Sequence, residues 1–302
     1  MGEDIEAQSF FTVKENMEIQ RQLVLITDPG IPGDEHYAKQ TQDVVDRWKD
    51  FFKSPVGGLW NENNEMVEIN EQNPTGSGYM DVLMSQLDLD RCDYSVIVFC
   101  GHGLRTLDNK DGIQLPIPSQ ANLNAYPVER LMGITPYISE IPSQIRRTII
   151  LDACRKIQPI TAEALFEQRV FSGGIELDGE MCRNYYNEII MRQEPHVELL
   201  QSTREGDYAY TSPNGSVYGD AVMRYIRSQT EIWGAQAMTD REGKFNVKMQ
   251  QMQSEVSDRI EGQRPQYWSS KPGTEGYPFA AYHVYVPRTF EQVVADIEIL
   301  EE

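Results

Sequence analysis

Residues 147–155 read Arg147-Thr148-Ile149-Ile150-Leu151-Asp152-Ala153-Cys154-Arg155. The run is apolar and β-branched and then turns abruptly polar, which is the pattern of a central parallel strand covered on both faces with its polar residues leaving at the carboxyl end. That edge is where open α/β sheets place their ligands. A second stretch has the same shape: Tyr94-Ser95-Val96-Ile97-Val98-Phe99-Cys100, followed by Gly101-His102-Gly103. If the two strands are neighbours, His102 and Cys154 leave the sheet at one edge as a base and a nucleophile.

Isolated cysteines are more often small buried hydrophobes than nucleophiles, so context has to separate Cys154 from the others. Cys154 sits just past a strand beside Asp152 and Arg155, whereas Cys100 lies inside an apolar strand and Cys92 directly precedes one. The glycines on either side of His102 allow unusual backbone angles and the close approach of a substrate carbonyl. A thiol is mostly protonated near neutral pH, so Cys154 needs an imidazole beside it to become an effective nucleophile.

These residues resemble the caspase and metacaspase family of cysteine proteases, whose nucleophile motif has the form Q-A-C-[RQG]-G with the His about fifty residues upstream. Here the motif is Asp152-Ala153-Cys154-Arg155-Lys156, with Asp in place of Gln and Lys in place of the final Gly. An Asp two residues before the nucleophile is similar to metacaspases and to bacterial caspase-like proteases, some of which serve in defence or cell death. The resemblance spans about residues 20–287. It implies an α/β caspase-like sandwich with a mostly parallel central sheet of about six strands flanked by helices. It also implies a His102–Cys154 dyad and an oxyanion site made by the backbone N–H groups of Gly103 and Cys154.

Substrate recognition follows from the same comparison. The segment Asp207-Tyr208-Ala209-Tyr210-Thr211, with Gly215-Ser216 after it, resembles the caspase substrate loop, but Thr211 stands where caspases carry a pocket Arg. With Asp152 before Ala-Cys, the pocket charge is reversed. A carboxylate at a pocket floor favours a basic P1 side chain, and Arg over Lys because Arg can bind it through two hydrogen bonds. Among the loop acids Asp28, Asp34 and Glu35, Asp34 is the candidate for a second pocket charge, while Asp207, Tyr208 and Tyr210 are candidates for neighbouring substrate contacts. Two other classes stay open: an inactive protease-like interaction module, and a cysteine hydrolase of non-peptide acyl groups.

In chain order, residues 22–27 predict a first buried strand. Val44, Val45, Trp48, Phe51 and Phe52 predict a helix with an apolar face, and Met80, Leu83, Met84 and Leu87 predict another. A short strand is expected over 66–70 and a hairpin turn at Asp111-Gly112. Residues 128–141 read as partly helical. Helices follow over 183–193, 217–227 and 247–260, a strand over 196–202, a last strand over 280–286 and an acidic terminal helix over 289–302. No internal repeat or boundary divides residues 1–302, so a single domain is expected.

The net charge of −20 argues against binding nucleic acid or an anionic membrane and favours encounters with basic protein or peptide segments. No apolar run approaches the roughly 18 residues of a membrane span. The start MGEDIEAQ lacks the basic region of a signal peptide, so a cytoplasmic location is expected. Four Cys and four His show no zinc-ligand spacing, and no zinc site is expected. No cofactor is established by the sequence, and calcium, self-cleavage and a protein activator are the candidate triggers.

Overall fold

In the computed structural model, the described residues are 18–30, 33–88, 92–105, 111–116, 125–135, 138–153, 177–204, 209–212, 215–240 and 242–285. The first half contains β1 (Arg21–Thr27), α1 (Glu35–Lys53), β2 (Met66–Ile69), α2 (Ser77–Asp88), β3 (Tyr94–Gly101), β4 (Gly103–Arg105), β5 (Asp111–Gln114), β6 (Ala125–Pro127) and α3 (Val128–Leu131). The second contains β7 (Arg147–Ala153), α4 (Gly179–Arg192), β8 (Val197–Gln201), β9 (Thr211–Ser212), β10 (Gly215–Ser216), α5 (Val217–Asp240), β11 (Glu242–Lys248), α6 (Met249–Ser257), β12 (Gln266–Ser269) and β13 (Pro278–Tyr285).

The main sheet has six strands in the order β12-β8-β7-β3-β1-β2. All neighbours run parallel except β12, which pairs antiparallel with β8. The two apolar runs of the sequence are therefore adjacent, as expected, with Cys100 opposite Asp152 and Gly101 opposite Ala153. The chain goes from β1 to one side for β2 and then to the other side for β3. The carboxyl ends of β1 and β3 thus flank the point where the strand order reverses, the usual place for a ligand crevice in such sheets.

Alternation along each strand sends side chains to opposite faces. Leu23, Leu25, Val96, Val98 and Ile150 meet Trp48, Phe51 and Phe52 of α1, Tyr186 of α4, Val222 of α5 and Phe279 of β13. Val24, Ile26, Ile97, Phe99 and Ile149 meet Met80, Met84 and Leu87 of α2 on the other side. Burial on both faces explains why β3 and β7 are buried throughout and carry continuous apolar runs, Val96–Cys100 and Ile149–Leu151, in place of alternation.

Arg147 shows how the amino end of the sheet is held. Its side chain is fully buried, donates to Ser95 Oγ at 2.9 Å and to the Leu131 carbonyl at 2.8 Å, and pairs with Asp88. Arg147→Leu removes one partner and leaves the others buried and unmet, a loss of about 3–5 kcal/mol. A urea midpoint unchanged from wild type would show that the cluster adds nothing.

Four local expectations change. Asp111-Gly112 lies inside strand β5, paired with Arg105 and Leu104, because β4–β6 form a three-stranded antiparallel ribbon and not a simple hairpin. Helix α3 spans only Val128–Leu131. The helix expected from 247 begins at Met249, since Val247 pairs with Ala280 in a ribbon of β11 and β13 outside the main sheet. The sheet edge is instead taken by Gln266–Ser269, directly after Pro265. The helix expected over 289–302 lies outside the described residues.

Candidate active site

His102 follows the last residue of β3 at the carboxyl edge of the sheet. Its backbone N–H donates to Asp28 Oδ2 at 2.9 Å, and its ring Nδ1 lies 2.8 Å from the same oxygen. The imidazole is stacked on Tyr37 of α1, with ring centroids 4.3 Å apart and planes inclined by 26°. The ring is 31% exposed, whereas the Asp28 side chain is completely buried. Binding Nδ1 to a carboxylate leaves Nε2 as the nitrogen able to exchange a proton with a reacting group.

Two glycines make this arrangement sterically allowed. At Gly101 φ is +155° and a Cβ would lie 2.2 Å from the Asp28 Cβ, so any side chain there would push Asp28 away from the His102 backbone. At Gly30 φ is +78° and a Cβ would lie 2.4 Å from Tyr37 Cδ1, which would displace the ring that supports His102. Asp28 is itself tied in place: its N–H donates to the Cys100 carbonyl at 2.9 Å, its carbonyl accepts from Thr41 Oγ1 at 3.0 Å, and its Oδ1 accepts from the Gly30 N–H at 2.8 Å.

Asp152, near the end of β7, points toward the α1 and α5 face and is 3% exposed. Its Oδ1 accepts from Ser216 Oγ at 2.5 Å and its Oδ2 from the Trp48 indole N–H at 3.3 Å. Ser216 Oγ accepts in turn from the Gly219 N–H at 3.0 Å, so the hydroxyl both caps the start of α5 and serves the carboxylate. Burial pushes the Asp152 carboxyl up to about 6, against the pull of the Ser216 and Trp48 hydrogen bonds, with Asp220 raising it further and Arg47 lowering it. Arg47 is itself held by Asp220, Nη1 to Oδ1 at 2.6 Å. A small cavity lined by Val44, Arg47, Trp48, Ser216, Gly219 and Met223 lies beside this group.

The other residues singled out in the sequence fall as follows. Gly103 opens β4, opposite Ile113. Asp34 is the N-cap of α1, its carboxylate accepting from the Tyr37 N–H at 3.0 Å, so that it secures the helix that carries Tyr37. Tyr210 donates its N–H to Gln263 Oε1 at 3.1 Å, and Gln263 Nε2 donates to the Ser202 carbonyl, which ties the substrate-loop segment to the end of β8. Ser202 reaches back to β7, its N–H to the Leu151 carbonyl at 2.9 Å and its hydroxyl to the Ala153 carbonyl at 3.3 Å. Thr211 pairs with Ser216 between β9 and β10. Cys154, Asp207 and Tyr208 lie outside the described residues.

Sequence reasoning placed Asp28 only among three loop acids and took Trp48 as core. Asp28 could have been set apart by its place directly after a buried strand, where its neighbours in the sheet are other strand ends. Trp48 gave no such signal, since one indole N–H cannot be told from packing by spacing. Among the described residues no group of three or more His, Cys, Asp or Glu side chains could hold a metal ion, and no helix is long and apolar enough to cross a membrane.

No protein-family model and no curated protein matches this chain. Among solved structures, a structural-genomics protein of Geobacter sulfurreducens is similar at 10% identity and a TM-score of 0.49, over 89% of this chain and 100% of that one. A caspase is similar as well. Caspase-1 from Spodoptera frugiperda matches at 13% identity and a TM-score of 0.46, over 87% of this chain and 92% of its own. A pro-caspase-1 structure matches at 11% identity and a TM-score of 0.40, over 84% of this chain and 93% of its own.

Proposed function

We propose that the chain is a cysteine endopeptidase in which His102 is the base, Cys154 the nucleophile, and Asp152 the floor of a pocket for a basic P1 residue, Arg over Lys. The observation that carries the specificity is the state of Asp152. Among the described residues the buried acids Glu65 and Asp220 each hold a guanidinium, whereas the hydrogen bonds to Asp152, like those to the buried Glu198, come from neutral groups. A buried carboxylate without a bonded cation is costly, and a substrate guanidinium relieves that cost. The net charge of −20 draws basic segments toward the chain.

In this reading His102 Nε2 takes the proton of the Cys154 thiol, and the sulfur attacks the scissile carbonyl carbon. The N–H groups of Gly103 and Cys154 receive the developing oxyanion. The imidazolium then protonates the leaving amine as the C–N bond breaks, and a water deprotonated by His102 releases the acyl group from sulfur. The support for this pair is the residue order Asp152-Ala153-Cys154 and a register in which the residues following Gly101 and Ala153 are His102 and Cys154.

The test is a set of fluorogenic peptides varied only at P1, with Cys154→Ala as the control. Cleavage is expected after Arg, more slowly after Lys, and negligibly after Asp. Preference for Asp or for an apolar P1 would overturn the assignment of Asp152 to the pocket.

A further inference from the structure

We infer that Asp28 is a positioning residue for the proposed reaction, so that the working unit is an ordered series Asp28–His102–Cys154 and not a dyad. This rests on the protease reading of His102 and Cys154 and adds to it the group that sets the state of the base. The carboxylate is fully buried and reaches the imidazole through one oxygen, Oδ2, which also accepts the His102 backbone N–H. Two bonds to the same residue fix both the main chain and the ring, leaving the imidazole no freedom to turn Nδ1 toward the substrate. Tyr37, stacked on the ring face, closes the remaining rotation.

A loop staple alone would not require this geometry. The bonds from Gly30 N–H and Thr41 Oγ1, and that to the Cys100 carbonyl, already secure the Asp28 segment to α1 and β3. The Nδ1 bond is additional and acts on the ring. Its chemical effect is to keep the proton on Nδ1, so that Nε2 holds a lone pair when the thiol is to be deprotonated. When Nε2 has taken that proton, the adjacent carboxylate stabilises the imidazolium. In a serine triad, replacing the corresponding carboxylate by its amide lowers turnover about 10⁴-fold.

Two measurements decide the matter. The first is turnover of an Arg peptide by Asp28→Asn, expected to fall by about 10²–10⁴ in kcat with KM little changed. The second needs no substrate: proton NMR of the full wild-type chain, with His102→Gln for assignment, should show a hydrogen-bonded His102 Nδ1–H far downfield, shifted upfield in Asp28→Asn. A folded Asp28→Asn variant with wild-type turnover would overturn the inference. So would a wild-type spectrum with no such proton, and this readout decides the question even if the variant does not fold. Failure of the wild type to cleave any peptide would instead remove the protease reading, and the Nδ1–H signal would still report whether Asp28 holds the ring.

Discussion

His102→Ala and Cys154→Ala are each expected to abolish peptide cleavage while the protein stays folded. Removing either member of a nucleophile–base unit costs about as much as removing all of it, roughly 10⁶ in kcat, because neither group can activate the other's absent partner. The fold should survive because His102 lies beyond the end of β3, partly exposed, with its own main chain still able to donate to Asp28. The loss of one donor to a buried carboxylate predicts a drop of about 1–3 kcal/mol for His102→Ala, visible in a urea titration but short of unfolding. Turnover near wild type in either folded variant would eliminate the pair. Loss of the far-ultraviolet circular dichroism spectrum would point to a structural role instead.

The second large effect is expected at Asp152→Asn and depends on pH. The folded wild type keeps the Asp152 proton up to about 6, whereas an unfolded chain gives it up near 3.8. The stability linked to this proton is therefore fully present below pH 3.8 and is lost as the pH rises toward 6. A rise of about two pKa units corresponds to about 3 kcal/mol. Asparagine carries no charge at any of these pH values, so the variant should match wild type in thermal midpoint near pH 4 and exceed it near pH 7.5. Activity should move the other way. A charge-assisted hydrogen bond to a P1 guanidinium is worth about 1.5–3 kcal/mol, or about one to two decades in rate constant. Comparing P1 Arg with its neutral isostere citrulline isolates this contribution from the ionisation of the thiol and imidazole. The wild-type ratio should grow as Asp152 ionises, and the variant's ratio should stay flat. A wild-type ratio that does not change with pH would place the recognition of P1 elsewhere.

The parts of this arrangement that were legible in the sequence are those encoded over a few consecutive residues. The doubly buried strands β3 and β7 appear as unbroken apolar runs, and the Gly-His-Gly step marks where one of them ends. The capped helix α1 shows in the spacing of Val44, Val45, Trp48, Phe51 and Phe52. What stayed hidden depends on register. Asp28 is distinguished from Asp34 only because Thr27 pairs with Cys100, which brings the residue after β1 against His102. The donors that hold Asp152 come from positions 104 residues earlier and 64 residues later in the chain. Strands β11 and β12 were missed for another reason. Both are partly exposed and mixed in character, and β12 is short, so neither an apolar run nor a clean alternation announces them.

Helix α1 has a bearing on how such a protein could change. Asp34 caps it, Tyr37 lies on the imidazole, Thr41 holds the Asp28 carbonyl, and Trp48 reaches the Asp152 carboxylate, while Phe51 and Phe52 anchor it in the core. One rigid rod thus aligns the group that would do the chemistry and the group that would choose the substrate. A substitution that slides or tilts the rod moves both, so turnover and selectivity cannot drift independently through this helix. In the proposed enzyme, new selectivities are more readily reached from the opposite wall, where Ser216 and Gly219 at the start of α5 line the cavity beside Asp152. Libraries built on α5 should yield altered preference with retained turnover, and libraries built on α1 should yield variants that lose both together.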